Sequence, residues 1–256
     1  MKPAAATLAV LMSLTVFGQA TYAQTREVRR TLPLTATGHL QLDTFKGEIR
    51  VTTWDQPQVE LLARIEPDGT SSESLRLANE TEVRIDSTGD SLHLKSDYPN
   101  MKHWINGDDA ALPFVRYTIR MPRTAELRIK DYKSEIEVSD LSGALEIDTY
   151  KGDSKVHGQK GAIRMHSYKG HGVFELASLG AHSSFDSFKG VFDIKVPSSA
   201  AFDVVSEAGS KASIRSAFPF VLPAGSHTRD RRFQARVNGG GTEIVLKSYK
   251  GEMNLH

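Results

Sequence analysis

The chain contains no cysteine in 256 residues. That excludes disulfides, thiolate metal centres, a cysteine nucleophile and a lipid anchor attached through an N-terminal cysteine. Stability therefore rests on a packed core and hydrogen bonds, which a chain of more than about 200 residues supplies because it buries a large share of its surface. An excess of one charge sign is missing too: 32 Lys and Arg face 31 Asp and Glu, a formal charge of +1. A general nucleic-acid binder needs a basic excess to displace counterions, so no nucleic-acid partner is expected. With 39% hydrophobic and 25% charged residues and a mean hydropathy of −0.35, the chain is neither disordered nor a multi-span membrane protein. Enzyme signatures are absent: there is no Gly-x-Ser-x-Gly elbow, no phosphate-binding loop, no dinucleotide fingerprint and no HExxH motif. The one glycine cluster, Gly239-Gly240-Gly241, lacks a following Lys-Ser/Thr and reads as a tight turn into the last strand.

The single long apolar run lies at the N-terminus. Lys2 is followed by apolar residues from Ala4 to Phe17 and then by the small-residue ending Ala20-Thr21-Tyr22-Ala23. A positive start, an apolar middle of about 14 residues and a small-residue site form a signal peptide, with cleavage expected after Ala23. A membrane span needs roughly 20 apolar residues, so none is expected in the mature chain. Cleavage leaves residues 24–256, formally neutral, in the periplasm or on the cell surface. The lack of cysteine suits a bacterial envelope better than a small disulfide-stapled secreted domain.

What the sequence does contain is a repeat. A small or acidic residue, an aromatic, Lys, then Gly or Ser recurs as Thr44-Phe45-Lys46-Gly47, Asp131-Tyr132-Lys133-Ser134, Thr149-Tyr150-Lys151-Gly152, Ser167-Tyr168-Lys169-Gly170, Ser187-Phe188-Lys189-Gly190 and Ser248-Tyr249-Lys250-Gly251. The aromatics at 132, 150, 168 and 188 are spaced by 18, 18 and 20 residues, and a degenerate copy, Ser206-Glu207-Ala208-Gly209, falls where the next is expected. Between the phrases lie alternating runs such as Leu145-Glu146-Ile147-Asp148-Thr149, which read as half-buried strands and offer no helical spacing. A unit of 18–20 residues cannot bury its own apolar face, so copies must stack. The expected fold is all-β: a repeat-built β-solenoid or stack of β-hairpins, with strands about 4.8 Å apart. The glycine is expected at positive φ, and Ser134 marks a corner that is either different or strained.

Residues 24–122 form a less regular β part, with strands around 40–44, 48–52, 59–65, 83–85, 92–94 and 116–121, before the regular repeats of 123–256. Ser71 to Asn79 fits one or two helical turns, and 97–113 and 219–232 read as loops.

If Leu145, Ile147 and Thr149 face inward, Asp148 and Tyr150 face outward and Lys151 lies at the corner. Stacked rungs then align Tyr132, Tyr150, Tyr168 and Phe188 in one column flanked by Lys133, Lys151, Lys169 and Lys189. Two readings of this column stand. It can hold sugar rings or bases on its aromatics and anionic groups on its amines. Equally, it can be a cross-strand ladder that keeps the repeats in register, with Lys stems covering the rings. The same alignment brings Asp148, His166 and Asp186 to equivalent positions, a weak candidate for a zinc or calcium site beside the simpler reading of an outward charge ladder. His157, His171 and His182 fall at other phases. Arg229-Asp230-Arg231-Arg232 beside a Pro/Gly-rich loop reads as an anion dock or a solvated charge run.

Three features carry a family resemblance: the strand Tyr117-Thr118-Ile119-Arg120-Met121-Pro122, the glycine-punctuated repeats from Leu127 to Val196, and the closing Gly239-Gly240-Gly241-Thr242-Glu243-Ile244-Val245-Leu246 before Tyr249-Lys250-Gly251. With them the chain resembles the putative-adhesin family of domains of unknown function, also called toastrack domains. The resemblance implies an exported β-repeat domain of the bacterial cell envelope, without a cofactor and without catalytic residues to carry over. For such domains the resemblance implies adhesion or sensing, and with the aromatic-Lys column the expected work is non-enzymatic binding of an envelope polysaccharide or polyanion, or sensing and scaffolding with another envelope protein. The enzyme alternative is a β-coil resembling polysaccharide lyases.

Overall fold

The computed structural model describes residues 25–99, 112–179, 182–222 and 231–256; the expected signal peptide lies outside them. The chain forms β1 (Arg26–Asp43), β2 (Lys46–Trp54), β3 (Gln58–Glu66), α1 (Ser72–Glu80), β4 (Glu82–Ser87), β5 (Gly89–Asp97), β6 (Phe114–Pro122), β7 (Glu126–Asp131), β8 (Lys133–Ser139), β9 (Leu145–Lys151), β10 (Ser154–Gln159), β11 (Ile163–Leu176), β12 (Ser183–Lys195), β13 (Phe202–Ala208), β14 (Ser213–Ser216), β15 (Arg232–Val237), β16 (Thr242–Ser248) and β17 (Glu252–Leu255). The expected all-β repeat fold is what these elements build.

Each repeat phrase is a corner. The chain runs along one face of a flattened coil, bends at the aromatic-Lys-Gly phrase and runs back along the opposite face. On the first face, parallel neighbours follow the order β5, β1, β7, β9, β11, β12, β16, β13. On the second the order is β6, β2, β8, β10, β11, β12, β17, β14. β11 and β12 belong to both faces because they pass through the corner unbroken. Alternation buries one side of the strands in the stacked rungs, β14 excepted: Leu42, Ile129, Ile147, Met165, Phe185 and Leu246 form one inward column, and Val51, Val138, Val156, Phe174, Ile194 and Leu255 face it from the other side.

Chain order and stacking order differ at both ends. β1 and β2 form a rung between β5/β6 and β7/β8. After β12 the chain skips outward to β13 and β14, returns through antiparallel β15, and inserts β16 and β17 against β12. This detour accounts for the 61-residue gap between Phe188 and Tyr249. It also corrects the reading of Ser206-Glu207-Ala208-Gly209. That segment is next in sequence but one rung further out, and Ala208, not Ser206, pairs with Ser248, so the aromatic position falls on Gly209. Antiparallel strands, β4 on β5, β3 on β6 and β15 on β13, close the ends where parallel edges would invite further pairing.

Ser71 to Asn79 is mostly helix. Ser71 caps α1 by accepting from the Ser74 N–H, and Leu77 and Ala78 face the core side. Its C-terminal carbonyls, otherwise unpaired, accept from the Arg26 guanidinium.

The corner glycines are dictated by contact with the preceding rung. A Cβ on Gly170 would lie 2.0 Å from the Gly152 carbonyl oxygen, and both glycines have positive φ, +153° and +135°. Positive φ does not extend to Gly190 and Gly251, which are held to glycine by closeness alone. Ser134 proves different rather than strained: its φ is not positive, and its N–H and hydroxyl both donate to the Asp131 carboxylate, at 2.7 and 2.6 Å.

Candidate functional site

The alternation places Tyr150 outward over buried Thr149, and the same phase holds for Tyr168, Phe188 and Tyr249 over buried Ser167, Ser187 and Ser248, whereas Phe45 is itself buried. Because each ring leaves the sheet at an equivalent position, rings stack at the rung spacing. Phe45, Tyr132, Tyr150, Tyr168, Phe188 and Tyr249 form one face-to-face column, with centroids 4.4, 4.8, 4.7, 4.8 and 4.8 Å apart and planes within 13° of parallel. The column thus unites the four expected aromatics and adds Phe45 and Tyr249, whose phrases were visible but whose place in the stack depends on the out-of-order rungs. Tyr98 closes the Phe45 end edge-on at 6.1 Å. Exposure is least at Phe45, 8%, and greatest at Tyr249, 55%, with Tyr150 at 40% and Tyr168 at 37%.

This geometry limits what the rings can do. In a column at these separations each inner ring has both π faces covered by its neighbours. Edges and phenol oxygens reach solvent, so inner rings cannot take a sugar or base between them.

Beside the rings, Lys151, Lys169, Lys189, Lys250 and Lys211 line a trough of about 800 Å³ together with the corner glycines, Asp153, His171 and Glu252. The Lys151 Nζ lies 5.8 Å from the Tyr132 centroid and the Lys250 Nζ 5.4 and 5.5 Å from those of Phe188 and Tyr249, so the stems flank the stack. Lys133 occupies the preceding rung. Lys46 departs from the pattern: it is 4% exposed, pairs with Asp68, donates to the Leu112 carbonyl and sits 4.3 Å from the Phe114 centroid.

Beneath the rings runs a column of small polar residues, buried at Ser96, Thr149, Ser167, Ser187 and Ser248 and half-buried at Thr44 and Asp131. Asp131 is the one carboxylate in it. Withdrawal from water pushes it up to about 6, against the hydrogen bonds from Ser134, Thr149 and the Tyr132 N–H that favour its charged form.

Asp148, His166 and Asp186 do stand on adjacent strands at one register position. They are members of a longer alternating ladder, Lys95, Asp43, Lys130, Asp148, His166, Asp186, Lys247, Glu207 and Arg232. His166 approaches Asp186 at 3.9 Å, and among the described residues no three His, Asp or Glu side chains converge in a way that could hold a metal ion. His157, His171 and His182 each pair with a carboxylate, of Glu175, Asp153 and Glu243. Among the described residues no helix is long and apolar enough to cross a membrane.

The fold is shared with a protein of known structure. A crystal structure named "putative cell adhesion protein", from Clostridium sporogenes, matches 91% of this chain and 99% of its own, with a TM-score of 0.54 at 11% sequence identity. A "putative adhesin" from Bacteroides fragilis matches over 90% and 97% with a TM-score of 0.29 at 12% identity. A "putative lipid binding protein" from Parabacteroides distasonis matches over 90% and 96% with a TM-score of 0.27 at 11% identity. At such identities the first likeness shows the fold alone, and the other two carry no argument. No protein-family model matches the chain, and no curated protein matches it. The resemblance to the toastrack domains therefore holds at the level of an adhesin-like fold.

Proposed function

We propose that the protein is an exported, non-enzymatic, adhesin-like binding protein of the bacterial cell envelope, and that it holds a linear anionic envelope polymer along the lysine trough beside the ring stack. The observation that carries this reading is the trough: Lys151, Lys169, Lys189 and Lys250 recur once per rung along a groove of about 800 Å³. Like charges repeated at the strand spacing of about 4.8 Å repel one another, and a chain of regularly spaced phosphates, sulfates or carboxylates relieves that repulsion. The rings, with their faces mutually covered, act as the spine that fixes the spacing of Lys133, Lys151, Lys169 and Lys189. The phenols of Tyr132, Tyr150 and Tyr168 and the edge of Phe188 border the bound polymer. The apolar N-terminal segment supports export, and the name of the Clostridium sporogenes neighbour supports a role in adhesion.

Co-sedimentation of the protein with purified envelope fractions at low and high salt tests the reading. Wild type should sediment and lose binding as salt rises, because exposed charges are screened. A variant carrying Lys151→Gln, Lys169→Gln and Lys189→Gln should remain soluble with an unchanged circular dichroism spectrum. Equal sedimentation of wild type and variant, or none by either, overturns it; a protein that co-sediments in place of polymer would direct attention to an envelope protein partner.

A further inference from the structure

We infer that the open end of the ring stack is a separate binding site for one acidic sugar ring, seated on the outer face of Tyr249; in taking its ligand to be an envelope glycan, this rests on the reading above.

Every inner ring of the column is covered on both faces, and Phe45 is closed by Tyr98. Tyr249 has Phe188 on one face and, among the described residues, no ring on the other. It is also the most exposed ring of the stack. The next rung would continue the stack, but its residue beside Tyr249 is Gly209. The Gly209 N–H donates to the Ser248 carbonyl at 2.7 Å, and a Cβ there would lie 2.4 Å from the Tyr249 carbonyl oxygen. The backbone thus excludes a side chain where a seventh ring would start, and a cavity of about 360 Å³ is left against Tyr249.

The walls of this cavity define its occupant. Arg231, Arg232, Lys247, Glu207 and Asp186 surround it, Asp186 with His166 at 3.9 Å beside it. Glu207 is occupied by Arg232 at 2.6 Å and by Lys247 at 3.7 Å. Arg231 pairs with no acid among the described residues, and its position is fixed because its carbonyl accepts from the Ala208 N–H at 2.6 Å. A ligand therefore meets an uncovered aromatic face and an unpaired guanidinium. A pyranose ring presents an apolar C–H face to the first and, if it carries a carboxylate, a two-oxygen acceptor to the second. An aromatic side chain of a protein partner would satisfy the face and leave Arg231 unanswered. Lys250, beside the Tyr249 ring, also lines the lysine trough, so the site is continuous with it and can hold one residue of a polymer lying there.

Isothermal titration with three probes separates the two readings: an oligogalacturonate, its neutral methyl ester, and inorganic polyphosphate, which has charge but no ring. Tyr249→Ala should weaken oligogalacturonate binding about tenfold, the usual scale for loss of one stacking partner, and leave polyphosphate binding unchanged. Tyr249→Phe should bind as wild type, since it keeps the face. Arg231→Gln, an exposed change that leaves the fold intact, should reduce oligogalacturonate affinity to that of the methyl ester. Equal oligogalacturonate binding by wild type and Tyr249→Ala overturns the inference, as does a tyrosine-bearing peptide that binds where oligogalacturonate does not. Polyphosphate binding without oligogalacturonate binding refutes this site and leaves the trough. Tyr249-dependent oligogalacturonate binding without polyphosphate binding does the reverse.

Discussion

Asp131 should make folding stability depend on pH in a sense opposite to that of a salt-bridged carboxylate. Its side chain accepts from the Ser134 N–H and hydroxyl and from the Thr149 hydroxyl at 3.1 Å, yet burial dominates and raises the carboxyl to about 6. In the unfolded chain an aspartate titrates near 3.9. Between these values the folded protein holds the proton and the unfolded chain has released it, so the stability contributed by this group is complete at about pH 4, falls as pH rises, and is lost above about pH 6. Two units at about 1.36 kcal/mol each give roughly 3 kcal/mol as the upper limit. Asp131→Asn keeps an acceptor for Ser134 and removes the titration. Urea denaturation of both proteins from about pH 4 to 7 provides the difference in stability, in which other groups cancel; Glu175, held low at about 2 by Lys195 and His157, is one of them. The variant should gain on wild type by up to roughly 3 kcal/mol as pH rises over this range. A difference that stays flat, or that moves toward wild type, would refute the argument and mean that the hydrogen bonds outweigh desolvation.

Two further changes probe the corners. Gly170→Ala should destabilise by more than about 4 kcal/mol or prevent folding, since its Cβ would meet the Gly152 carbonyl, whereas Gly239→Ala, at φ +95° with nothing within 4 Å, should cost only about 1 kcal/mol; similar melting temperatures for the two would sink the steric account. Lys46→Met should cost about 2 kcal/mol by leaving Asp68 and the Leu112 carbonyl without their partner, and Lys189→Met at an exposed corner less than about 0.5 kcal/mol, as read by chemical denaturation. Equal effects would place Lys46 in the trough with the other lysines.

The regular middle of the fold was legible because it is local. The aromatic-Lys-Gly phrase and the alternation of Leu145-Glu146-Ile147-Asp148-Thr149 define strand, phase and corner without reference to distant residues, and the ring column follows from them. Order in the stack was not legible. Nothing in the phrase at Tyr249 states that its strand enters between β12 and β13, so the degenerate copy at Ser206 was placed two residues out of register and one rung too near. Nor does a column of aromatics in a sequence reveal that stacking hides the ring faces, which depends on the separation between them. Asp131 carried a readable signal: it is the only acid at a position otherwise held by Thr or Ser, in the only phrase without glycine, and the two departures are partners. The walls of the Tyr249 cavity come from β12, β13, β15, β16 and the residues flanking them, and only tertiary structure assembles them.

The insertion of the last strands between β12 and β13 bears on how the molecule is made. A simple repeat array can grow rung by rung as it emerges and fray from its ends. Here the rung between β12 and β13/β14 is supplied by β16 and β17, which follow them in the chain, and the rung of β1 and β2 is likewise clasped on both sides by later strands. A nascent chain halted before Thr242 would leave β12 and β13 each with an unpaired edge, the form of surface that recruits other chains into aggregates. The inserted rung is thus a keystone: assembly is completed when β16 and β17 slot between strands made before them, and unlocking that half means withdrawing a rung from its interior instead of peeling one from its rim.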